Sequence, residues 1–292
     1  MSKVLVAGAT GQLGKYLIHE LKQRGYWVRA IVRNPSVKLQ ALDVDEIVTA
    51  NLTDPNSLKS VCREMNFVFS CAGAAMNVNN FRDRSAFYKV DYKGNLNLLR
   101  EAEKSSASKF GYVSLAGADK LLRTEYVNAH EQFVEALKIS KLDYTVVRPT
   151  GFFSFLLEIL KFAEKGRGVS IGAGDCKTNP IHEADVARAC AGVLEGDTKE
   201  ISVGGPDVLT RRQITELAFE TLGKKPKLVK ISPSLFKLII QPLRLLNHRI
   251  YALMDFGVAV TQVDMIAPAY GSRHLKAYFE EAAGKVQKEN NS

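Results

Sequence analysis

The chain of 292 residues contains only four cysteines, Cys62, Cys71, Cys176 and Cys190. Their spacings match no zinc or redox motif, which excludes a metal ribbon or a dithiol centre. No secretory segment precedes them, so they read as reduced, small core residues of a cytoplasmic protein. Long apolar runs are also missing. The most apolar stretch, Leu235 to Leu246, is interrupted by Lys237, Pro242 and Arg244, which excludes a transmembrane segment. There is no internal repeat, low-complexity linker or clear break, so residues 1–292 are expected to form a single domain. No aromatic–basic motif of a nucleic-acid module is present, and no nucleic-acid partner is expected. The net charge of +9, from 40 basic and 31 acidic residues, is dispersed along the sequence. It suits an anionic ligand on a solvated surface.

What is present is concentrated near the beginning. Gly8-Ala9-Thr10-Gly11-Gln12-Leu13-Gly14 follows the short apolar run Val4 to Ala7 and opens a stretch with helical spacing. Strand, glycine-rich turn and helix in this order hold a dinucleotide pyrophosphate. Gly8 takes the tight turn, Gly11 lets the backbone approach phosphate oxygens, and Gly14 lets the helix pack on the strand. The helix start adds unpaired N–H groups and partial positive charge.

The first half alternates strand and helix. Strands are expected at Val4 to Ala7, Trp27 to Val32, Glu46 to Val48, Phe67 to Ser70, Phe110 to Ser114 and Tyr144 to Val147. Leu13, Leu17, Ile18 and Leu21 mark one helix, and Leu96, Leu99 and Ala102 another. Asp54-Pro55 looks like a cap and first helical residue, with Leu58, Val61 and Cys62 facing inward. In the second half, Phe152 to Ala163 and Val186 to Val193 have helical spacing. Ile201 to Val203 is expected as a late strand, and Thr210 with Gln213 as a capping box. The fold class is therefore α/β: a doubly wound parallel sheet, Rossmann-like, with a smaller C-terminal substrate-binding lobe. The core is expected mainly from 1–150 and 181–205, and the lobe from 151–180 and 206–284.

An NAD site places a carboxylate at the end of the second strand, on the ribose 2′-OH. Here that strand carries none and is followed by Arg33. A guanidinium at this point pairs with a 2′-phosphate, helped by the potential of Arg29 and Lys38. NADP(H) is thus favoured over NAD(H).

GATGQLG, IVRNP, DYTVVRPTGFF and NPIHEADVARA together resemble the atypical short-chain dehydrogenase/reductases of the NmrA-like, NAD(P)H-binding type. The resemblance covers most of the chain and weakens after about residue 206. It implies that Thr10, Gly11, Gln12 and Leu13 lie along the pyrophosphate and Arg33 at the 2′-phosphate. Asn51 and Leu52 would flank the adenine, although Asp is commoner at the first of these. Ala72 and Gly73 would pass the nicotinamide ribose, and Pro149, Thr150, Gly151 and Phe152 would border the nicotinamide. The usual catalytic serine, tyrosine and lysine map to Ser114, Tyr126 and His130, so that histidine replaces lysine. His130 either binds the ribose and supports the phenol, or is a hydrogen-bonded histidine on a buried helix face. His182 and Asp185 read as structural, a loop hydrogen bond and a helix start.

Two functions remain open from the sequence. One is an NADP(H)-dependent oxidoreductase, a reductase of a small or medium apolar molecule, with Phe152, Phe153, Phe155 and the Leu235 to Leu246 segment as pocket or core. Relatives implied by the resemblance include reductases of conjugated double bonds. The other is a non-catalytic NAD(P)H-binding redox sensor or regulator. Peripheral membrane contact through Leu235 to Arg249 is a further possibility, but prolines and uneven spacing favour a buried lid.

Overall fold

The structure, a computed structural model, describes residues 1–34, 43–74, 76, 81–82, 86–226 and 228–290. Six strands run through the first half: β1 (Lys3–Ala7), β2 (Trp27–Val32), β3 (Glu46–Thr49), β4 (Phe67–Ser70), β5 (Lys109–Val113) and β6 (Asp143–Pro149). Two short strands, β7 (Gly168–Ile171) and β8 (Lys177–Thr178), precede β9 (Glu200–Val203). The large sheet has the order β3-β2-β1-β4-β5-β6-β9, and every pairing in it is parallel. The order reverses between β1 and β4, which opens a crevice beyond the strand ends at the glycine turn.

Strand alternation explains the two covered faces. Val4 and Val6 point to one side with Val28 and Ala30, packed against α1 (Gln12–Gln23) and α5 (Glu183–Gly192). Leu5 and Ala7 point to the other with Phe110, Tyr112 and Val146, under α2 (Asn95–Ala102) and α3 (Glu125–Lys138). A period of two along each strand therefore feeds two separate apolar cores.

The expected helix after Asp54-Pro55 does not form. Residues 52–64 make successive turns, with bonds such as Ser57 N–H to Asp54 O and Val61 N–H to Leu58 O. Ser60 and Glu64 have φ of 65° and 63°, which breaks any helical continuation. Leu58, Val61 and Cys62 are nevertheless buried, because a compact turn series serves the same inward contacts.

A second layer sits at one end of the sheet. The helices α4 (Phe153–Glu164), α6 (Arg211–Thr221) and α10 (Leu275–Asn290) share a core built on Phe153, Leu160, Phe219 and Phe279. Helix α6 starts with the capping box expected at Thr210 and Gln213. Two small sheets border this layer: β7 pairs with β11 (Leu228–Ile231), and β8 with β10 (Leu209–Thr210). After β11 come α7 (Pro233–Ile240), α8 (Leu243–Leu246) and α9 (His248–Val260). Helix α9 returns to the main body, where Phe256 meets Tyr126.

Candidate functional site

The glycine turn has the geometry a diphosphate needs. Gly8 has φ +84°, and a Cβ there would stand 2.7 Å from the carbonyl carbon of Cys71 on β4's extension. A Cβ on Gly14 would collide with Gly8 O, so the helix can rest on the turn only with glycine there. Gly11 N–H closes the turn on Gly8 O at 3.0 Å. Helix α1 then begins with no side-chain cap and no acidic residue in its first turn. Its first amides, at Gln12, Leu13 and Gly14, are left for an anion, beside the exposed Thr10. The residues present fit a dinucleotide.

At the end of β2, Arg33 is exposed and forms no ion pair among the described residues. Arg29 differs from the expectation. Its guanidinium holds Glu46 at 2.7 Å and the carbonyls of Val61 and Arg63, and lies over Trp27. Its charge is neutralised within the sheet edge and is not spare potential for a phosphate. Lys38 lies outside the described residues. Asn51 is exposed and its side-chain Oδ1 accepts from Thr53, while Leu52 is buried. Both stand just past the end of β3.

The loop after β4 is fixed from beneath. Asn95 accepts from the Ser70 hydroxyl at 2.5 Å and donates to Ala72 O. Asp91, fully buried on a π-helical turn over Tyr88–Gly94, accepts from Ala74 N–H at 3.2 Å. A Cβ on Gly73 would stand 2.7 Å from Asp91 Oδ1, so glycine lets the loop lie on the carboxylate. Pattern reasoning misses Asp91 and Asn95, because an isolated polar residue reads as solvent-facing until its neighbours are known. Their spacing of four, on one helical face, was the only available sign.

On the far side of the crevice, Pro149 and Thr150 are buried, and Gly151 and Phe152 are half-buried. The Thr150 hydroxyl donates to Asn179 O at 2.5 Å, and Gly151 O accepts from Ile181 N–H. Phe153 belongs to the α4–α6–α10 core and is not a pocket residue. Phe155 is exposed and lies 5.7 Å from the Phe152 ring.

Tyr126 and His130 share one face of α3, with ring centroids 4.7 Å apart. Phe87 and Phe256 flank the phenol at 5.3 and 4.7 Å. The Tyr126 hydroxyl makes no hydrogen bond among the described residues. Burial, reinforced by the Asp91 charge, pushes its pKa well above the ordinary tyrosine value. His130 is tied elsewhere: Nδ1 shares a 2.7 Å hydrogen bond with the Tyr112 hydroxyl, and Nε2 stands 3.2 Å from Asp91 Oδ1. That second contact has ion-pair distance without hydrogen-bond alignment. The carboxylate of Asp91 facing Nε2 suits the tautomer with its ring proton on Nε2, in which the Tyr112 hydroxyl donates to Nδ1. The second of the two readings of His130, a hydrogen-bonded histidine on a buried face, describes these contacts.

Ser114 lies one residue past β5. Its hydroxyl donates to Glu131 at 2.5 Å and accepts from Arg148, and it makes no bond to Tyr126. Glu131 and Arg148 form a two-pronged ion pair with contacts of 2.7 and 3.0 Å. They line a groove of about 630 Å³ along the outside of α3. That groove contains none of the glycine-turn residues, so the crevice at the strand ends is the better candidate for nucleotide chemistry.

His182 and Asp185 are both structural, but the helix start expected at Asp185 is at His182. His182 caps α5, its Nδ1 accepting from Ala184 N–H at 3.0 Å. Asp185, fully buried, accepts from the backbone of Ser272 and Arg273 and from the Arg273 guanidinium.

Comparison with known proteins agrees with this geometry. Residues 8–197 match the family described as NAD(P)H-binding. Divinyl chlorophyllide a 8-vinyl-reductase of Zea mays is 29% identical over 256 residues, 81% of this chain and 63% of the maize protein. This chain thus spans less than two thirds of that relative's length. The mitochondrial NADH dehydrogenase [ubiquinone] 1 alpha subcomplex subunit 9 of Arabidopsis thaliana is 28% identical over 253 residues, covering 81% of this chain and 62% of that one. The NADPH-dependent quinone oxidoreductase of Escherichia coli, complexed with NADPH, shares the fold with a TM-score of 0.73 at 20% identity, over 96% of this chain and 99% of that one. The Citrobacter triphenylmethane reductase complexed with NADP(H) does so with a TM-score of 0.74, also at 20% identity and over the same shares. With the glycine turn, the parallel sheet and a match across more than half its length, the chain belongs to the NAD(P)H-binding family.

Proposed function

We propose that this protein is an NADP(H)-dependent reductase of a small or medium apolar molecule with a conjugated acceptor, in which Tyr126 supplies the proton. The observation that carries the reading is the Tyr126 phenol: protonated, without a hydrogen-bond partner among the described residues, and walled by Phe87 and Phe256. When bound, the reduced cofactor supplies a hydride. The amides of Gln12, Leu13 and Gly14 hold its pyrophosphate, and Arg33 its 2′-phosphate. The loop at Ala72 and Gly73, pinned by Asn95 and Asp91, fixes the nicotinamide ribose. Tyr126 then gives its proton to the acceptor as hydride arrives, and is reprotonated from solvent.

The raised pKa keeps Tyr126 in the proton-bearing form from which reduction starts, and it also makes the phenol a weaker acid. Oxidising an alcohol requires a tyrosinate to take the proton, and burial beside Asp91 opposes that anion. Ser114 keeps its expected polarising role only by turning from Glu131 toward the acceptor. The reductase names printed for the Zea mays, Escherichia coli and Citrobacter proteins support the reaction class.

A regulator without turnover is the second reading. His130 favours it, because it stands where lysine would serve the ribose and is engaged by Tyr112 and Asp91. NADPH oxidation with a panel of quinones and enones separates the two. Turnover is expected, and Tyr126→Phe should lower kcat by about 100-fold or more while leaving NADPH affinity unchanged. Full turnover in that variant would reject Tyr126 as the acid. Tight NADPH binding with no oxidation across the panel would favour the regulator.

A further inference from the structure

The Leu235 to Leu246 segment is not a buried lid. Leu235, Leu238 and Ile239 occupy one exposed face of α7 at helical spacing, while Ile240 is buried beneath. Beyond Pro242, Leu245 is 91% exposed and Leu246 62%. Five large aliphatic side chains therefore project from two consecutive short helices, far more than a solvated surface normally shows in one place.

The charge around them has one sign. Between Glu220 and Asp255 the sequence holds seven Lys and Arg and no acidic residue. Lys225, Lys230 and Arg244 are exposed and have no ion pair among the described residues. Two acidic groups from packed elements face this region: Asp255 of α9 pairs with Lys237 at 3.5 Å, and Glu125 of α3 with His248 at 2.6 Å. Lys237 and Arg244 lie on α7 and α8 themselves, and Lys225 and Lys230 on the segment that leads into them, whereas Arg249 is buried. A two-fold interface would set this cationic segment against itself, which like charges oppose. An anionic partner with an apolar interior satisfies both features together. No helix among the described residues is long and apolar enough to cross a membrane, and α7, with Ile240 buried and Leu235, Leu238 and Ile239 exposed, presents an apolar outer face that can lie in an interface.

We propose that the α7–α8 projection seats this protein on an anionic lipid surface, with Leu238, Ile239, Leu245 and Leu246 among the acyl chains and Lys230 and Arg244 at the headgroups. This seating is independent of the catalytic role of Tyr126. It has one consequence for that site. Helix α9, which packs against α7 and α8, also supplies Phe256 to the wall around Tyr126, so the lipid surface and the crevice share one supporting element.

Flotation of the full chain with vesicles tests this. It should float with vesicles of two parts phosphatidylcholine to one part phosphatidylglycerol, and stay behind with phosphatidylcholine alone. Binding should weaken as salt rises. The double variants Leu245→Ser/Leu246→Ser and Lys230→Glu/Arg244→Glu should each lower partitioning by about tenfold or more, with NADPH affinity and Tm retained. An environment-sensitive dye on Leu245→Cys should shift to the blue when anionic vesicles are added. Absence of flotation, flotation unaltered in both double variants, or an unshifted dye would each overturn the proposal. So would a dimer in light scattering that Leu245→Ser/Leu246→Ser splits while vesicles go unbound, which would assign the projection to a second copy.

Discussion

Arg33 and Arg29 stand four residues apart around the end of one strand, yet their chemistry differs because of what each faces. Arg29 meets Glu46 across the β2–β3 pairing and two carbonyls of the turn series. Arg33 lies past the strand end and is exposed. Arg33→Ala should therefore weaken NADPH by roughly 10- to 100-fold, the worth of a charged hydrogen bond of about 1.5–3 kcal/mol. NADH affinity should change little, because it has no 2′-phosphate for Arg33 to meet. Calorimetric titration of both coenzymes checks this, and equal losses would defeat the 2′-phosphate assignment. The position of Arg33 just past β2 was legible in the sequence, since the strand's periodicity fixes where it ends. The engagement of Arg29 was not, because Glu46 is seventeen residues away and only sheet pairing brings it near.

At the scale of elements, α5 shows how a helix start becomes sensitive to pH. Its cap is the His182 imidazole, and Nδ1 can accept from Ala184 N–H only when unprotonated. Burial holds the His182 pKa below its ordinary value of 6.5, against the opposite pull of Glu183 and Asp185. The unfolded chain thus takes up a proton before the folded one does. Stability contributed by this group is fully present above pH 6.5 and declines as pH falls below it, until folded His182 itself protonates. Urea titrations between pH 7 and 5 should show this decline, and His182→Asn, which keeps a capping oxygen, should flatten it. An equal slope in the variant would place the pH dependence elsewhere. The sequence pattern assigns His182 a loop hydrogen bond and puts the helix start at Asp185, three residues past the actual cap. The turn series at residues 52–64 was misread as a helix, because Asp-Pro and inward Leu58, Val61 and Cys62 satisfy both conformations. The backbone at Ser60 and Glu64 decides between them.

For the whole molecule, the C-terminal third is fastened to the sheet domain by two buried polar side chains. Asn179 holds Ala267 through both its amide atoms and also reaches Gly205 O. Asp185 gathers Ser272 and Arg273 just before α10. This strap fixes α10 on one side and the approach to α9 on the other. Asp185→Ala should cost about 3 kcal/mol in urea unfolding, because buried donors lose a charged acceptor. A loss under about 1 kcal/mol would show that the strap holds without it.

The sequence by itself determined the parallel sheet, the glycine cradle and the strand-end arginine. Each of these is written in residues close together along the chain, where periodicity, turn chemistry and a missing acid act locally. It also assigned Tyr126 and His130 to one helix face, since a spacing of four fixes that. Only the tertiary structure decided that His130 is held by Tyr112 and Asp91, that Ser114 bonds to Glu131, and that the leucines of α7 and α8 face outward. The burial of a polar group or the exposure of an apolar one depends on which distant segments pack against it, and local pattern does not carry that information.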